Sequence, residues 1–179
     1  MNLESKKVLV GVTGGIAAYK TAYVVRLLKK ARAEVRVVMT RSAGQFISPL
    51  TFAALSEHPV GTDLFDPATR HEIQHVRWAD WAELALIAPA TANIIGKAAH
   101  GIADDLLSSL ILALQCPVVF APAMHHQMWS HPAVQRNLEM LKTYGYKIID
   151  PAEGDLASGD VGIGRMREPE EILAYLRAL

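Results

Sequence analysis

The chain has one cysteine, Cys116, among its 179 residues, so no internal disulfide can form and a reducing, cytoplasmic setting is expected. It has no excess of either charge sign, since Lys and Arg total 18 and so do Asp and Glu. No overall field therefore draws in nucleic acid or an anionic membrane, and neither is expected as a partner. Long hydrophobic runs are missing too. The apolar stretches are of strand length, short of the roughly 18 residues that a membrane span needs. The opening MNLESKK is polar and runs straight into VLVGV, which is not the pattern of a signal peptide. No repeat, low-complexity tract or linker interrupts the chain, so a single domain over residues 1–179 is expected. Cys116 precedes Pro117 at the entry to the run VVFAPA and reads as a buried structural thiol, not a nucleophile.

The 51% of hydrophobic and 20% of charged residues mark a globular domain with a real core. Strands are predicted at Val8–Val12, Val35–Thr40, Leu84–Ala88, Val118–Ala121 and Lys147–Ile149. Helical patterns lie at Ile16–Ala33, Pro49–Ala54, Ala92–Ala99, Asp104–Leu114, Pro132–Tyr144 and Pro169–Leu179. Apolar strands alternating with helices indicate an α/β domain, a doubly wound, flavodoxin-like or Rossmann-like parallel sheet. The segment Asp150–Arg167 has four glycines and little apolar periodicity, and reads as a surface loop or a functional flap.

Ligands of such sheets bind beyond the carboxyl ends of the strands. After the first strand comes Gly11-Val12-Thr13-Gly14-Gly15-Ile16, a turn that lets backbone approach a ligand and offers a helix N-terminus to a phosphate. The G-x-G-x-x-G fingerprint is not met, and the second strand ends in Thr40-Arg41-Ser42 without the acidic residue a dinucleotide ribose needs, so NAD is disfavoured. After the third strand, Thr91 and Asn93 suit either ordinary helix capping or contact with a phosphate or ring edge.

Four segments then occur in order: Gly14-Gly15-Ile16-Ala17-Ala18-Tyr19-Lys20, Pro89-Ala90-Thr91-Ala92-Asn93, Pro122-Ala123-Met124 with Met128-Trp129, and Gly162-Ile163-Gly164-Arg165-Met166. Together they resemble the homo-oligomeric flavin-containing cysteine decarboxylases, over essentially the whole chain. The likeness is greatest to the decarboxylase domain of the bifunctional coenzyme A biosynthesis protein, which acts on phosphopantothenoylcysteine. The resemblance implies FMN as cofactor, surrounded by Gly14, Gly15, Ile16, Thr40, Ser42, Thr91, Ala92, Asn93 and Ala123, with Phe46 near the ring. It implies a substrate held by His125, Met128, Arg165 and Met166, and a homotrimer, alone or built into a dodecamer, with flavin sites between subunits.

The family's catalytic histidine lies six residues before a Trp-Ala-Asp motif. Trp78-Ala79-Asp80 and Trp81-Ala82-Glu83 offer two frames, and Trp81 leads directly into a strand as the family Trp does, so His75 matches and His71 does not. By the resemblance, His75 is a general base, and oxidation of the substrate thiol by flavin creates the electron sink that lets CO₂ depart. The enethiol so formed is reduced in the coenzyme A enzymes, with a cysteine as proton donor, and released in the lantibiotic-type relatives. This chain departs from the family pattern twice. His125 stands at the Asn that would hold the substrate carboxylate, and Ser158 stands at the proton-donating cysteine. Imidazole still donates to a carboxylate, but a hydroxyl is a far weaker acid than a thiol. An oxidative decarboxylase of a peptide's C-terminal cysteine, or a non-catalytic flavin-binding regulatory subunit, are the alternatives.

No metal is expected. Asp104-Asp105 reads as a helix start, and His125-His126 with His131 lacks the spacing of a zinc site. Trp78 and Trp81 are expected near the sheet edge or a subunit contact.

Overall fold

Strand β1 (Lys7–Val12) sends Val8, Val10 and Val12 to one face of a sheet and Leu9 to the other, all four with no exposed surface. The period-2 pleat makes this alternation, and burial of both faces requires it to be apolar throughout. Strand β3 (Leu84–Ala90) divides likewise, with Leu84, Leu86 and Ala88 on one side and Ala85, Ile87 and Ala90 on the other. With β2 (Glu34–Met39), β4 (Val118–Pro122) and β5 (Lys147–Ile148) they form a five-stranded sheet in the order β2-β1-β3-β4-β5, every pair parallel. The computed structural model describes residues 2–65 and 74–179.

Helices cover both faces. Helices α1 (Ala18–Lys30), α2 (Pro49–Ser56) and α8 (Pro169–Ala178) pack on one core through Val24, Leu28, Phe52, Ile172 and Leu176. Helices α3 (Gln74–Trp81), α4 (Ala92–His100), α5 (Leu106–Ala113) and α7 (Pro132–Thr143) pack on the other through Ala79, Ile95, Leu110 and Leu141. The single-turn α6 (His126–Trp129) follows β4. Sequence punctuation explains several boundaries. Ser48 caps α2 ahead of Pro49, and Asp105 forms a capping box with Ser108 at the start of α5. Asp104 and Asp105 therefore serve a helix start, and both also bind Lys97 Nζ.

Because the chain steps from β1 out to β2 and then returns to β3 on the other side, the strand order reverses between β1 and β3. A crevice opens there at the carboxyl ends of the strands.

Two elements differ from the sequence reading. Residues 150–167, read from the sequence as a surface loop or a flap, are not a plain loop: β6 (Ala152–Asp155) and β7 (Val161–Arg165) pair antiparallel as a hairpin apart from the main sheet. Its side chains face water, with Val161 and Ile163 exposed, so no apolar alternation marks it in the sequence. Helix α3 has no counterpart among the predicted helices, because only Ala79 of its eight residues is buried. Trp78 and Trp81 do lie at a sheet edge: the Arg36 guanidinium of edge strand β2 sits 5.6 and 4.5 Å from their ring centres. Cys116 is half-buried, and burial pushes its thiol up, so it stays protonated and unreactive. No described helix is long and apolar enough to cross a membrane.

Candidate functional site

The crevice is built around two turns locked together by Thr13. Its hydroxyl donates to the Pro89 carbonyl at 2.6 Å and accepts the Thr91 amide at 3.2 Å. Thr91 in turn caps α4, its Oγ1 accepting from Ile94 N–H. The Thr21 hydroxyl ties α1 to the Ala88 carbonyl at 2.7 Å. These buried hydrogen bonds fix the ends of β1 and β3 relative to each other.

Two cavities flank the Gly14–Thr91 ridge and share those two residues. The first, of about 560 Å³, is mixed in character: Thr40, Arg41, Ser42 and Asn93 line it together with Asp63, Asp104 and Asp105 and with apolar residues such as Leu106 and Leu107. The second, of about 580 Å³, is lined by Gly15, Ile16, Ala92 and Ala123 on the sheet side. His125, Met128, Ser158, Arg165 and Met166 close it from the β4–α6 turn and the hairpin. Gly14 is required by close approach. A Cβ there would lie 2.4 Å from Ser42 Cβ and 3.0 Å from the Ser42 carbonyl carbon.

The hairpin is seated on the β4–α6 turn by its backbone. Met124 N–H donates to Gly164 O at 2.9 Å, and a Cβ on Gly164 would come within 2.0 Å of Met124 O. At the hairpin tip, Ser158 Oγ donates to Asp160 Oδ2 at 3.1 Å. The same oxygen bonds His125 Nε2 at 2.7 Å. The hydrogen bond from His125 first, and that from Ser158 second, hold the Asp160 carboxyl below the usual carboxylate range. A second clamp holds the far end of the hairpin. Lys20, almost wholly buried on α1, reaches Glu168 Oε1 at 2.8 Å, and Arg165 binds the same oxygen. Lys20, then Arg165, hold the Glu168 carboxyl low.

The structure thus brings together all the expected site residues but two. His75 stands half-buried in the first turn of α3, and Phe46 stands 51% exposed after the 3₁₀ turn Ala43–Gln45. Neither is among the residues lining the two cavities. His71 lies outside the described residues. Asn93 sits inside α4 and does not cap it, the cap being Thr91. Sequence reasoning missed Lys20 as a buried anchor and Asp160 as the partner of both His125 and Ser158. Lys20–Glu168 and Asp160–His125 have no local signal, because each contact spans more than 30 residues of chain. His125, His126 and Asp160 also present ligand-type atoms within 4.8 Å of one another. Two of those three side chains are already bonded to each other.

The site suits a flavin mononucleotide in its donors and its shape. The Gly14-Gly15 turn leads into α1 without a side-chain cap, although the Gly15, Ala18 and Lys20 amides already donate to backbone carbonyls. Thr40, Arg41 and Ser42 add polar groups at that end, and the second cavity offers the small residues Gly15, Ala92 and Ala123 against which a flat ring can lie.

A parallel 2-1-3-4-5 sheet with this crevice is a recurrent nucleotide- and flavin-binding arrangement. The chain belongs to the Flavoprotein family, whose pattern matches residues 1–179. It is 52% identical over 171 residues to the coenzyme A biosynthesis bifunctional protein CoaBC of Bacillus subtilis, covering 96% of this chain and 42% of that protein. To CoaBC of Haemophilus influenzae it is 48% identical over 176 residues, covering 98% and 44%. The chain thus spans less than half the length of these relatives. Among solved structures, a cysteine-to-serine mutant of PPC decarboxylase complexed with pantothenoylaminoethenethiol superposes with a TM-score of 0.87 at 33% identity, covering 98% of both chains. The FMN-dependent cysteine decarboxylase SpaF does so at 0.84 and 37%, again covering 98% of both.

Proposed function

We propose that this chain is an FMN-dependent decarboxylase that converts 4′-phosphopantothenoylcysteine to 4′-phosphopantetheine, a step of coenzyme A biosynthesis. The observation that carries the reading is the joining of two cavities of ligand size across the Gly14–Thr91 ridge, with Thr40, Arg41 and Ser42 in one and the small residues Gly15, Ala92 and Ala123 in the other. The relatives named CoaBC and the PPC decarboxylase structure give the substrate. Bound FMN supplies the two-electron acceptor that makes the substrate's thiol carbon an electron sink for the departing carboxyl. Gly14, Gly15, Ile16, Thr40, Ser42, Thr91, Ala92, Asn93 and Ala123 hold it, with Phe46 near the ring. His125, Met128, Arg165 and Met166 hold the substrate.

His75 is the general base toward the substrate, and it acts between subunits of a homotrimer, alone or within a dodecamer. Its place outside the two cavities that hold the other expected residues supports this. So do Ile16, Tyr19 and Tyr23, which leave an exposed apolar stripe on and beside α1 at the cavity mouth. The setting is cytoplasmic, and residues 1–179 form one flavoprotein domain.

The test is direct. The purified protein should be yellow, with one FMN per chain, and should release CO₂ from phosphopantothenoylcysteine. His75→Asn should keep the flavin and lose roughly 10²- to 10⁴-fold in CO₂ release, the usual contribution of a positioned base. A colourless protein that takes up no FMN on reconstitution would end the proposal. Ser158 favours a second reading, in which the reaction stops at the enethiol, as an oxidative decarboxylase of a peptide's C-terminal cysteine would leave it. The mass of the product separates the two.

A further inference from the structure

Helix α3 carries the proposed base on a narrow footing. His75 stands in its first turn, and of its eight residues only Ala79 is buried. The rest of its hold is a stack of groups at the edge of the main sheet. The Arg36 guanidinium of edge strand β2 lies 4.5 Å from the ring centre of Trp81 and 5.6 Å from that of Trp78. Arg36 is itself set by its strand, since Val35, Val37 and Val38 are fully buried. The Trp78 ring also lies close against Gly61, where a Cβ would come 3.0 Å from Trp78 Cζ3 and 3.1 Å from Cη2. Gly61 is tied to the same strand: its N–H donates to Val37 O at 2.9 Å, and its carbonyl accepts from Met39 N–H at 2.8 Å. Residues three apart are neighbours on a helix surface, so Trp78 has Trp81 on one side and His75 on the other.

We propose that Arg36 is a positioning residue, which fixes the pose of α3 through Trp78 and Trp81 and so aims His75 toward the substrate. The inference rests on the reading of His75 as the base of the decarboxylase. A base takes a proton only within hydrogen-bond reach, and a displacement on the order of 1 Å is enough to lose it. A helix seated on one buried alanine is free to roll. Two indoles on successive turns stop the roll, because both meet the sheet edge. A planar guanidinium suits this task, since it stacks on aromatic faces and attracts the rings electrostatically, where an apolar side chain would only fill space. Neither Arg36 nor either tryptophan lines the two cavities. Loss of the clamp should therefore spare binding and slow the chemical step.

The test compares wild type, Arg36→Met, Arg36→Lys and His75→Asn as FMN-loaded proteins, assayed for CO₂ release from phosphopantothenoylcysteine. Arg36→Met keeps the stem and removes the cation. It should lower kcat roughly tenfold, with KM and FMN per chain unchanged. Arg36→Lys keeps a cation able to lie over the rings and should recover most of that loss. A kcat unchanged by Arg36→Met overturns the proposal. So does a loss shared equally by Arg36→Lys, or one that comes with lost flavin or a raised KM, which is what a general loosening of the fold produces. A second measurement needs no turnover. In protein labelled with ¹³C-histidine, the His75 ring signal, assigned by its absence from His75→Asn, should move in Arg36→Met while the other histidine signals stay. An unmoved His75 signal overturns the clamp. A wild type that releases no CO₂ refutes the decarboxylase reading instead, and the ring signal then still decides whether Arg36 sets the pose of His75.

Discussion

The bed of the site and its cover are built by opposite means. The bed, where β1 and β3 end, is set by fully buried strands and by the Thr13 and Thr21 hydroxyls, each bonded to a carbonyl on the far side of the chain. The cover, the β6–β7 hairpin, is largely exposed and is held by one backbone hydrogen bond from Met124 to Gly164 and by two half-exposed carboxylates, Asp160 at its tip and Glu168 beyond its base. Burial contributes several kcal/mol per large side chain, whereas exposed ion pairs contribute a fraction of one. The bed is therefore the more firmly fixed of the two, and the cover the less. A cofactor held through many turnovers suits the first, and a substrate that must enter and leave suits the second.

The largest effect expected from this contrast is in the bed. Phe120 of β4 is wholly buried, and Phe120→Ala should lower unfolding stability by about 3–5 kcal/mol, read from the urea midpoint. A loss as small as that of an exposed substitution would erase the distinction between the two regions.

Next comes the contact that joins bed to cofactor. Gly14→Ala would press a methyl group into Ser42, at a cost of about 1–3 kcal/mol. FMN uptake, followed by flavin fluorescence, should fall with it. Normal uptake would move the phosphate end of the site away from this turn.

An intermediate effect, in binding more than in stability, is expected from Lys20→Met. It removes the buried ammonium that holds Glu168 beside Met166, so the substrate KM should rise several-fold while the flavin stays bound. An unchanged KM would show that the hairpin base is held without it.

The smallest effect is in the cover and depends on pH. The Glu168 carboxyl titrates lower in the folded chain than in the unfolded one, because of Lys20 and then Arg165. Its stabilisation is therefore present above the unfolded value of about 4.3 and is lost as pH falls through the folded value. With Glu168 43% exposed, Glu168→Gln should cost only a few tenths of a kcal/mol. The difference in Tm from wild type should be largest near pH 7 and vanish in acid. A difference constant from pH 3 to 7 would assign the effect to packing.

The sequence by itself determined the α/β class, all five strands of the main sheet to within two residues, and the strand ends around which the two cavities form. Those features are local. Unbroken apolar runs such as Leu84–Ala88 can only be strands buried on both faces, and Gly14-Gly15 and Pro89–Asn93 follow strands at the ends where crevices form. The tertiary structure alone decided what depends on distant partners. It made a hairpin of residues 152–165, whose exposed side chains carry no periodic signal. It set His75 and Phe46 apart from the two cavities that hold the other expected residues. It also turned Asp160, an unremarked residue between two glycines of the flap, into the link between His125 and Ser158, because a hydrogen bond across 35 residues is made by the fold and leaves no spacing to read.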